Sequence, residues 1–218
     1  MIPRLVIFDC DGVLVDTEHL SNDVLSGLVT ESGWPMTAAE SAALFLGMRM
    51  PDVASIIEEK IGKALREDWV LEYERQRDAA FAGGLRTIPG IESVLEAVCA
   101  NTVNYCVASS GSVAKMQNTL TLTGLKPYFA DHVLFTARTL PRGKPFPDVF
   151  LHAAAQMGVP PQDCIVVEDS TAGAKAAKAA GMRCLGYAAT TAPALLEAEG
   201  AVCFTDMAAL PNLLGLKV

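Results

Sequence analysis

Short apolar runs that alternate with helical patterns constrain the fold of this chain more than any other feature of its sequence. Each run has the length of a β-strand and is apolar almost throughout, which is typical of a strand buried on both faces of a parallel sheet. The five runs lie at residues 5–8, 105–108, 133–135, 164–167 and 184–187. The helical patterns lie near residues 90–101, 112–124, 147–158, 170–180 and 206–214. The alternation predicts an α/β fold, in which helices cover both faces of a parallel sheet.

Residues 17–82 interrupt this alternation. Their four helical patterns lie near residues 17–32, 37–46, 50–62 and 64–82. Because the segment directly follows the first strand, we expect it to lie over the carboxyl ends of the strands, where open α/β sheets bind their ligands. The sequence therefore predicts an α/β core domain of residues 1–16 and 83–218, with residues 17–82 inserted as an all-helical cap domain.

The composition excludes several classes of protein. Hydrophobic residues make up 51% of the 218 residues and charged residues 19%, which is typical of a globular chain. The formal charge of −8 argues against a nucleic-acid-binding protein. No apolar run approaches the ~20 residues that a membrane-spanning helix needs, so we expect no membrane partner. The six cysteines form no Cys-x-x-Cys pair, which predicts reduced thiols in a cytoplasmic protein.

The first apolar run ends in two carboxylates, Asp9 and Asp11, with Gly12 directly after them. A buried strand has no structural use for two acids at its end, and Gly12 allows the backbone to turn sharply there. The pair could be a loop or helix-cap feature. Alternatively, one carboxylate attacks an electrophile or binds a metal ion while the other transfers a proton.

Polar residues also follow two later strands. Ser109, Ser110 and Gly111 begin a turn into a helix, where backbone N–H groups and hydroxyls can hold an anion. A serine at such a turn can equally be an ordinary helix N-cap. Glu168 and Asp169 end the fourth run and offer the hard oxygen ligands that magnesium prefers.

Lys144 lies in the loop at residues 143–148, whose two prolines restrict where its side chain can point. A lysine in a surface loop is usually only solvated. The four signals are stronger together, because each lies at the carboxyl end of a predicted strand or in a loop on that edge. Acids from two strands, hydroxyls from another and a lysine would form a site for a phosphate dianion with Mg²⁺.

These four motifs, in this order, resemble those of the haloacid dehalogenase superfamily of phosphotransferases. Residues 143–150 and 168–173 are similar to the subgroup that contains β-phosphoglucomutase and small sugar-phosphate phosphatases. Residues 112–118 are similar to a 6-phosphogluconate phosphatase branch. The resemblance covers the whole chain and implies a Rossmann-like parallel sheet with an inserted helical cap.

The resemblance implies a role for each motif residue. Asp9 would be the nucleophile that forms an aspartyl-phosphate, and Asp11 would protonate the leaving oxygen and then activate water. Ser109 would hydrogen-bond the transferring phosphoryl group, and Lys144 would offset its charge. The implied Mg²⁺ ligands are Asp9, the backbone carbonyl of Asp11, Asp169 and, directly or through water, Glu168.

The expected substrate is a small phosphorylated metabolite, either a sugar phosphate or a sugar-acid phosphate. The residues expected to bind it are Ser110, Gly111, Thr17 and Arg49. In the last cap helix, Arg75 or Arg77 could reach a second anionic group, although each could also be solvated.

Three functions stay open at this point: a phosphatase, a mutase, and a silent binding protein that keeps the fold. Asp11 favours phosphoryl chemistry over dehalogenation, because the dehalogenating relatives carry no acid there. A β-phosphoglucomutase-like enzyme would carry a histidine at Ser21 and an arginine at Met50. We therefore expect a magnesium-dependent phosphatase, with the phosphosugar mutase as the alternative. No exposed apolar stripe predicts an oligomer, so we expect a monomer and leave a dimer open.

Overall fold

The computed structural model describes residues 2–217 and contains a six-stranded parallel sheet. The strand order is β3-β2-β1-β4-β5-β6, and every neighbouring pair is parallel. The strands are β1 (Leu5–Phe8), β2 (Asn104–Ser109), β3 (Leu134–Thr136), β4 (Cys164–Glu168), β5 (Arg183–Tyr187) and β6 (Val202–Phe204). The predicted α/β fold and its five strands are confirmed. The short edge strand β6 was not predicted.

Ten α-helices accompany these strands within residues 2–217. Those that precede β2 are α1 (Glu18–Ser32), α2 (Ala38–Phe45), α3 (Met50–Ile61), α4 (Trp69–Ala82) and α5 (Ile91–Ala100). Those that follow it are α6 (Val113–Leu122), α7 (Asp148–Gln156), α8 (Thr171–Ala179), α9 (Pro193–Ala198) and α10 (Leu210–Leu213). No helix in this described part of the chain combines the length and the apolar character needed to cross a bilayer.

The strand sequences explain why the sheet is covered on both faces. Successive residues of a strand point to opposite faces. In β1, Val6 and Phe8 join one hydrophobic cluster, while Leu5 and Ile7 join the other. All four side chains are fully buried. An uninterrupted apolar run is therefore what this central strand needs.

Helices α1–α4 form a unit with an apolar cluster of its own, which we call the helical insert. Its buried members include Leu28, Val29, Phe45, Ile57 and Trp69. Helix α2 begins with a capping box, in which Thr37 accepts from the Glu40 backbone N–H and Glu40 accepts from that of Thr37. The insert thus packs around its own core instead of extending the sheet.

Candidate active site

The carboxyl ends of β1, β2 and β4 bring the predicted acids and the first serine to one place. Asp9 directly follows β1, Ser109 ends β2, and Glu168 ends β4 with Asp169 next in the chain. Because β1 pairs in parallel with both other strands, these residues are neighbours. All four are buried. A cavity between this edge and the helical insert is lined by Asp9, Ser109 and Asp169 among others.

Lys144 reaches this cluster from the loop between β3 and α7. Its Nζ lies 3.0 Å from Asp9 Oδ1 and also donates to Glu168 Oε1. Burial opposes its charge, but the two carboxylates raise the pKa of Lys144 above its ordinary value. Lys144 is therefore a buried cation held against Asp9.

Burial disfavours the charged forms of Asp9 and Asp169, and Lys144 offsets this effect only in part. Burial raises the pKa of Asp9 to about 7 against the lowering effect of Lys144. Burial and the Glu168 carboxylate raise the pKa of Asp169 as well. Apart from the Lys144 ion pair, the buried atoms Asp9 Oδ1 and Asp169 Oδ2 accept no hydrogen bond from any described residue. Oxygens of Asp9, Glu168 and Asp169 lie within 4.8 Å of one another, an arrangement that fits a hard divalent cation.

Glu168 differs from the other two acids because both of its oxygens already have partners. Oε1 accepts from Lys144, while Oε2 accepts from the backbone N–H groups of Asp169 and Ser170 at 3.0 and 2.9 Å. The Ser170 hydroxyl also donates to Oε2 at 2.9 Å. The Glu168 carboxylate thus orients Lys144 and the start of α8. Asp169 Oδ2, which accepts no hydrogen bond from any described residue, is more available to a metal ion.

Asp11 faces a different set of partners. Its Oδ1 accepts a hydrogen bond from Thr17 Oγ1 at 2.6 Å and another from Lys115 Nζ at 2.6 Å. Burial raises the pKa of Asp11, but Lys115 and Thr17 outweigh it and hold that pKa below its ordinary value. These two donors therefore favour the ionised form of the Asp11 carboxylate.

The structure places Thr17 against a protein partner. The sequence predicts a substrate contact there, but the Thr17 side chain is fully buried and does not line the cavity. Its hydroxyl is turned toward Asp11, because Thr17 lies directly before α1 where the chain leaves the core. Thr17 is therefore placed to position Asp11, and a contact between Thr17 and the substrate stays a prediction.

The Arg49 side chain does not line the cavity in this structure, so its contact with the substrate stays a prediction. Its Nε donates to Asp52 Oδ2 at 2.6 Å, and its Nη1 and Nη2 donate to the carbonyls of Leu140 and Pro141 at 3.0 and 3.3 Å. A Cβ on Gly143 would lie 2.6 Å from Arg49 Cγ, so the absence of a side chain there lets the arginine approach. Arg49 thus ties the helical insert to a core loop.

Ser110 and Gly111 do line the cavity, as the sequence predicts for residues that bind a substrate. The Ser110 hydroxyl donates to the carbonyl of Gly47 in the insert at 2.7 Å. The Gly111 backbone N–H donates to Ser109 Oγ at 2.9 Å, which fixes that hydroxyl at the end of β2. Arg77 lines the cavity too, whereas Arg75 is exposed and pairs with Glu72.

The sequence reasoning missed two further charged residues on the cavity wall, Lys115 and Arg138. Only Lys115 left a usable signal, because it is the one charged residue of α6 and lies in its first turn. Arg138 has no such pattern. Its position follows from the packing of the insert on the core, where it forms an ion pair with Glu74.

Comparisons with known proteins bear on this geometry. A family model described as haloacid dehalogenase-like hydrolase matches residues 3–181. The chain is 31% identical to the 6-phosphogluconate phosphatase of Escherichia coli over 209 residues, which cover 95% of this chain and 93% of that protein. It is 30% identical to the phosphorylated carbohydrates phosphatase of Thermotoga maritima, with 96% and 97% covered. A solved haloacid dehalogenase-like protein of Agrobacterium tumefaciens is 36% identical, with a TM-score of 0.78 and 97% of each chain covered.

Proposed function

The chain belongs to the haloacid dehalogenase-like hydrolases, and we propose that it is a magnesium-dependent phosphatase acting through an aspartyl-phosphate. Its substrate is a small phosphorylated metabolite, a sugar phosphate or a sugar-acid phosphate. The observation that carries this proposal is the buried Asp9 carboxylate, which has Lys144 at 3.0 Å and the unpartnered oxygen of Asp169 beside it. The two phosphatases named above, both sugar-phosphate enzymes by name, support it.

In the first step, a carboxylate oxygen of Asp9 attacks phosphorus and the ester bond to the leaving oxygen breaks. Lys144 offsets the negative charge that gathers between Asp9 and the phosphoryl group. Ser109, held by the Gly111 N–H, donates its hydroxyl hydrogen to a phosphoryl oxygen. Mg²⁺ would be held by Asp9, the Asp11 carbonyl and Asp169, with Glu168 acting through water. When bound, it lowers the repulsion between the carboxylate and the phosphate dianion.

Asp11 transfers the protons of both steps. It donates a proton to the leaving oxygen, and then accepts one from the water that attacks phosphorus and releases Asp9. To act as the acid it must carry a proton and leave the Lys115 contact, which favours the ionised form. The step therefore requires a rearrangement of the Asp11–Lys115 pair when the substrate binds.

The helical insert, with residues 17–82 as its bounds, acts as the cap that closes this site and selects the substrate. Its contacts with the core of residues 1–16 and 83–218 include Ser110 with Gly47, Arg49 with Leu140, and Arg138 with Glu74. Ser21 and Met50 line the cavity. A serine and a methionine there support hydrolysis over the mutase alternative.

The test measures inorganic phosphate released from a panel of sugar and sugar-acid phosphates, with Mg²⁺ and with a chelator. We expect turnover that needs Mg²⁺ and that Asp9→Asn abolishes. Asp163→Asn, at a position outside the cavity, is the matched control and should retain activity. Conversion of glucose 1-phosphate to glucose 6-phosphate on addition of a bisphosphate, without phosphate release, would instead identify a mutase.

A further inference from the structure

Two buried cations, Lys115 and Arg77, lie close together on the cavity wall. Lys115 comes from α6 of the core, with its side chain 10% exposed, and Arg77 from α4 of the insert, with its side chain 4% exposed. Lys115 Nζ and Arg77 Cζ lie 5.8 and 5.6 Å from the centroid of the Phe81 ring. The two like charges are thus held on either side of the boundary between core and insert.

Neither cation is paired with a buried carboxylate that accepts from it alone. Arg77 donates through Nε and Nη2 to a single oxygen of Asp78, whose side chain is 44% exposed. Lys115 pairs with Asp11 Oδ1, and the same oxygen accepts a hydrogen bond from Thr17 Oγ1. Burying a charge is costly unless it is well paired, so a further anion at this wall would stabilise both cations.

Arg138 adds a third cation to the same wall. It pairs with Glu74, which precedes Arg77 by three residues on α4 and therefore lies on the same face of that helix. Arg138 Nε is buried and donates to no residue between 2 and 217. An unsatisfied buried donor on a cavity wall is a group that a ligand can use.

We propose that Arg77 and Lys115, with Arg138 beside them, form a subsite for a second anionic group of the substrate, a carboxylate or a second phosphate. The inference rests on the proposed phosphatase function and narrows its substrate class. A phosphorylated sugar acid or a bisphosphate fits the subsite, and a neutral polyol or hexose monophosphate does not. Because Arg77 belongs to the insert and Lys115 to the core, such an anion would also tie the two together.

The subsite also couples substrate choice to the position of Asp11. In the present structure Lys115 holds Asp11 Oδ1 at 2.6 Å. An anion bound at Lys115 takes over as its partner and frees Asp11 to turn toward the leaving oxygen. A neutral substrate leaves the Asp11–Lys115 pair in place, and is therefore expected to lose kcat as well as affinity.

The test compares 6-phosphogluconate with glucitol 6-phosphate, which differ only in a carboxylate against a hydroxymethyl group. We expect the wild type to have the higher kcat/KM for the acid. Arg77→Gln should lower kcat/KM for the acid by roughly tenfold to a hundredfold, the value of a hydrogen bond to a charged group, and leave the polyol within about twofold. Lys115→Gln should also lower kcat/KM for the acid, but because it removes the partner that holds Asp11, it should change kcat for the polyol as well. Arg75→Gln, on the exposed face of the same helix, should leave both substrates unchanged.

Two further arms keep the result interpretable. Fructose 1,6-bisphosphate compared with fructose 6-phosphate distinguishes a phosphate from a carboxylate as the preferred anion. Thermal unfolding of each variant shows whether a loss of activity comes from misfolding. Arg77→Lys retains the charge and should recover part of the preference for the acid.

Equal losses on acid and polyol in Arg77→Gln, or a wild type that prefers the neutral member of both pairs, would overturn the subsite while the phosphatase stands. Absence of Mg²⁺-dependent phosphate release from every substrate, with wild type and Asp9→Asn alike, would overturn the proposed function and the subsite with it.

Discussion

Lys144 Nζ lies 3.0 Å from Asp9 Oδ1, and both side chains are buried at the carboxyl end of β1. The lysine also donates to Glu168, so one cation is shared by two buried acids. If the lysine were removed, neither acid would have a cation beside it, and Glu168 would keep only the neutral donors to its Oε2. This relationship joins the stability of the site to its reactivity.

Replacing Lys144 with methionine should therefore damage both properties. We expect phosphate release to be lost, and the free energy of unfolding to fall by about 3 kcal/mol or more, because breaking a buried ion pair leaves an uncompensated charge. Urea unfolding at pH 7 with a chelator measures the second effect. Lys175→Met, at an exposed position on α8, is the control and should change little. Equal stability of the two variants would contradict the assignment.

Gly12 controls how closely the chain can pass Asp169. Its φ is +71°, and a Cβ there would lie 1.9 Å from Asp169 Oδ2. Gly12→Ala should displace Asp169 and weaken Mg²⁺ binding, measured by isothermal titration calorimetry. Gly124→Ala is a matched control, with φ +77° and nothing within 4 Å of the added Cβ. Both variants carry the backbone strain of about 1–2 kcal/mol, but only the first should lose the ion.

Thr17→Val tests whether Thr17 positions Asp11 or binds the substrate. Because the hydroxyl donates to Asp11 at 2.6 Å and does not line the cavity, we expect kcat to fall roughly tenfold with KM unchanged. Thr17→Ser keeps the hydroxyl and should recover most of the rate. A rise in KM at constant kcat would restore the substrate contact that the sequence predicts.

The central residues of the site could be predicted from the sequence, because apolar runs in it indicate where the strands end. Asp9, Ser109 and Asp169 each follow an apolar run, and parallel strands place such residues at one edge. No contact with the insert is needed to infer that they meet. The family resemblance is confirmed by the comparisons. The monomeric state and the cytoplasmic location stay predictions.

The rest depended on how the insert packs on the core, which no local pattern records. The sequence predicts substrate contacts for Thr17 and Arg49, and the structure places both side chains against protein partners. Arg77 and Arg138 reach the cavity only because α4 lies against the core. Strand β6 has no clear sequence pattern, because it has only three residues and its Val202 is exposed.

Arg49→Met tests the tie between insert and core. Without donors to the Leu140 and Pro141 carbonyls, the closed state should be less populated, so KM should rise for acidic and neutral substrates by the same factor. Limited proteolysis of the insert should also become faster. Arg66→Met, at an exposed position before α4, is the control. A loss confined to acidic substrates would show that Arg49 contacts the substrate anion directly.

Glu18 gives a prediction about pH. It lines the cavity, and burial, followed by the Asp11 carboxylate, raises its pKa from 4.5 to about 8. Because the folded protein holds this proton more tightly than the unfolded chain, its contribution to stability is complete below pH 4.5 and is lost as pH rises through 8. Glu18→Gln cannot ionise, so its melting temperature relative to the wild type should climb across that interval. Thermal unfolding with a chelator measures this.

The control for that experiment is Glu59→Gln, at an exposed position on α3, whose difference from the wild type should stay flat over the same interval. The hydrogen bonds from Asn22 to Glu18, and from Ser41 to Asn22, hold the carboxylate in place. Because the Asn22 hydrogen bond lowers the pKa of Glu18, Asn22→Ala should raise that pKa further and make the pH dependence stronger. Parallel curves for Glu18→Gln and the wild type would mean that folding does not raise the pKa of Glu18, and would contradict this prediction.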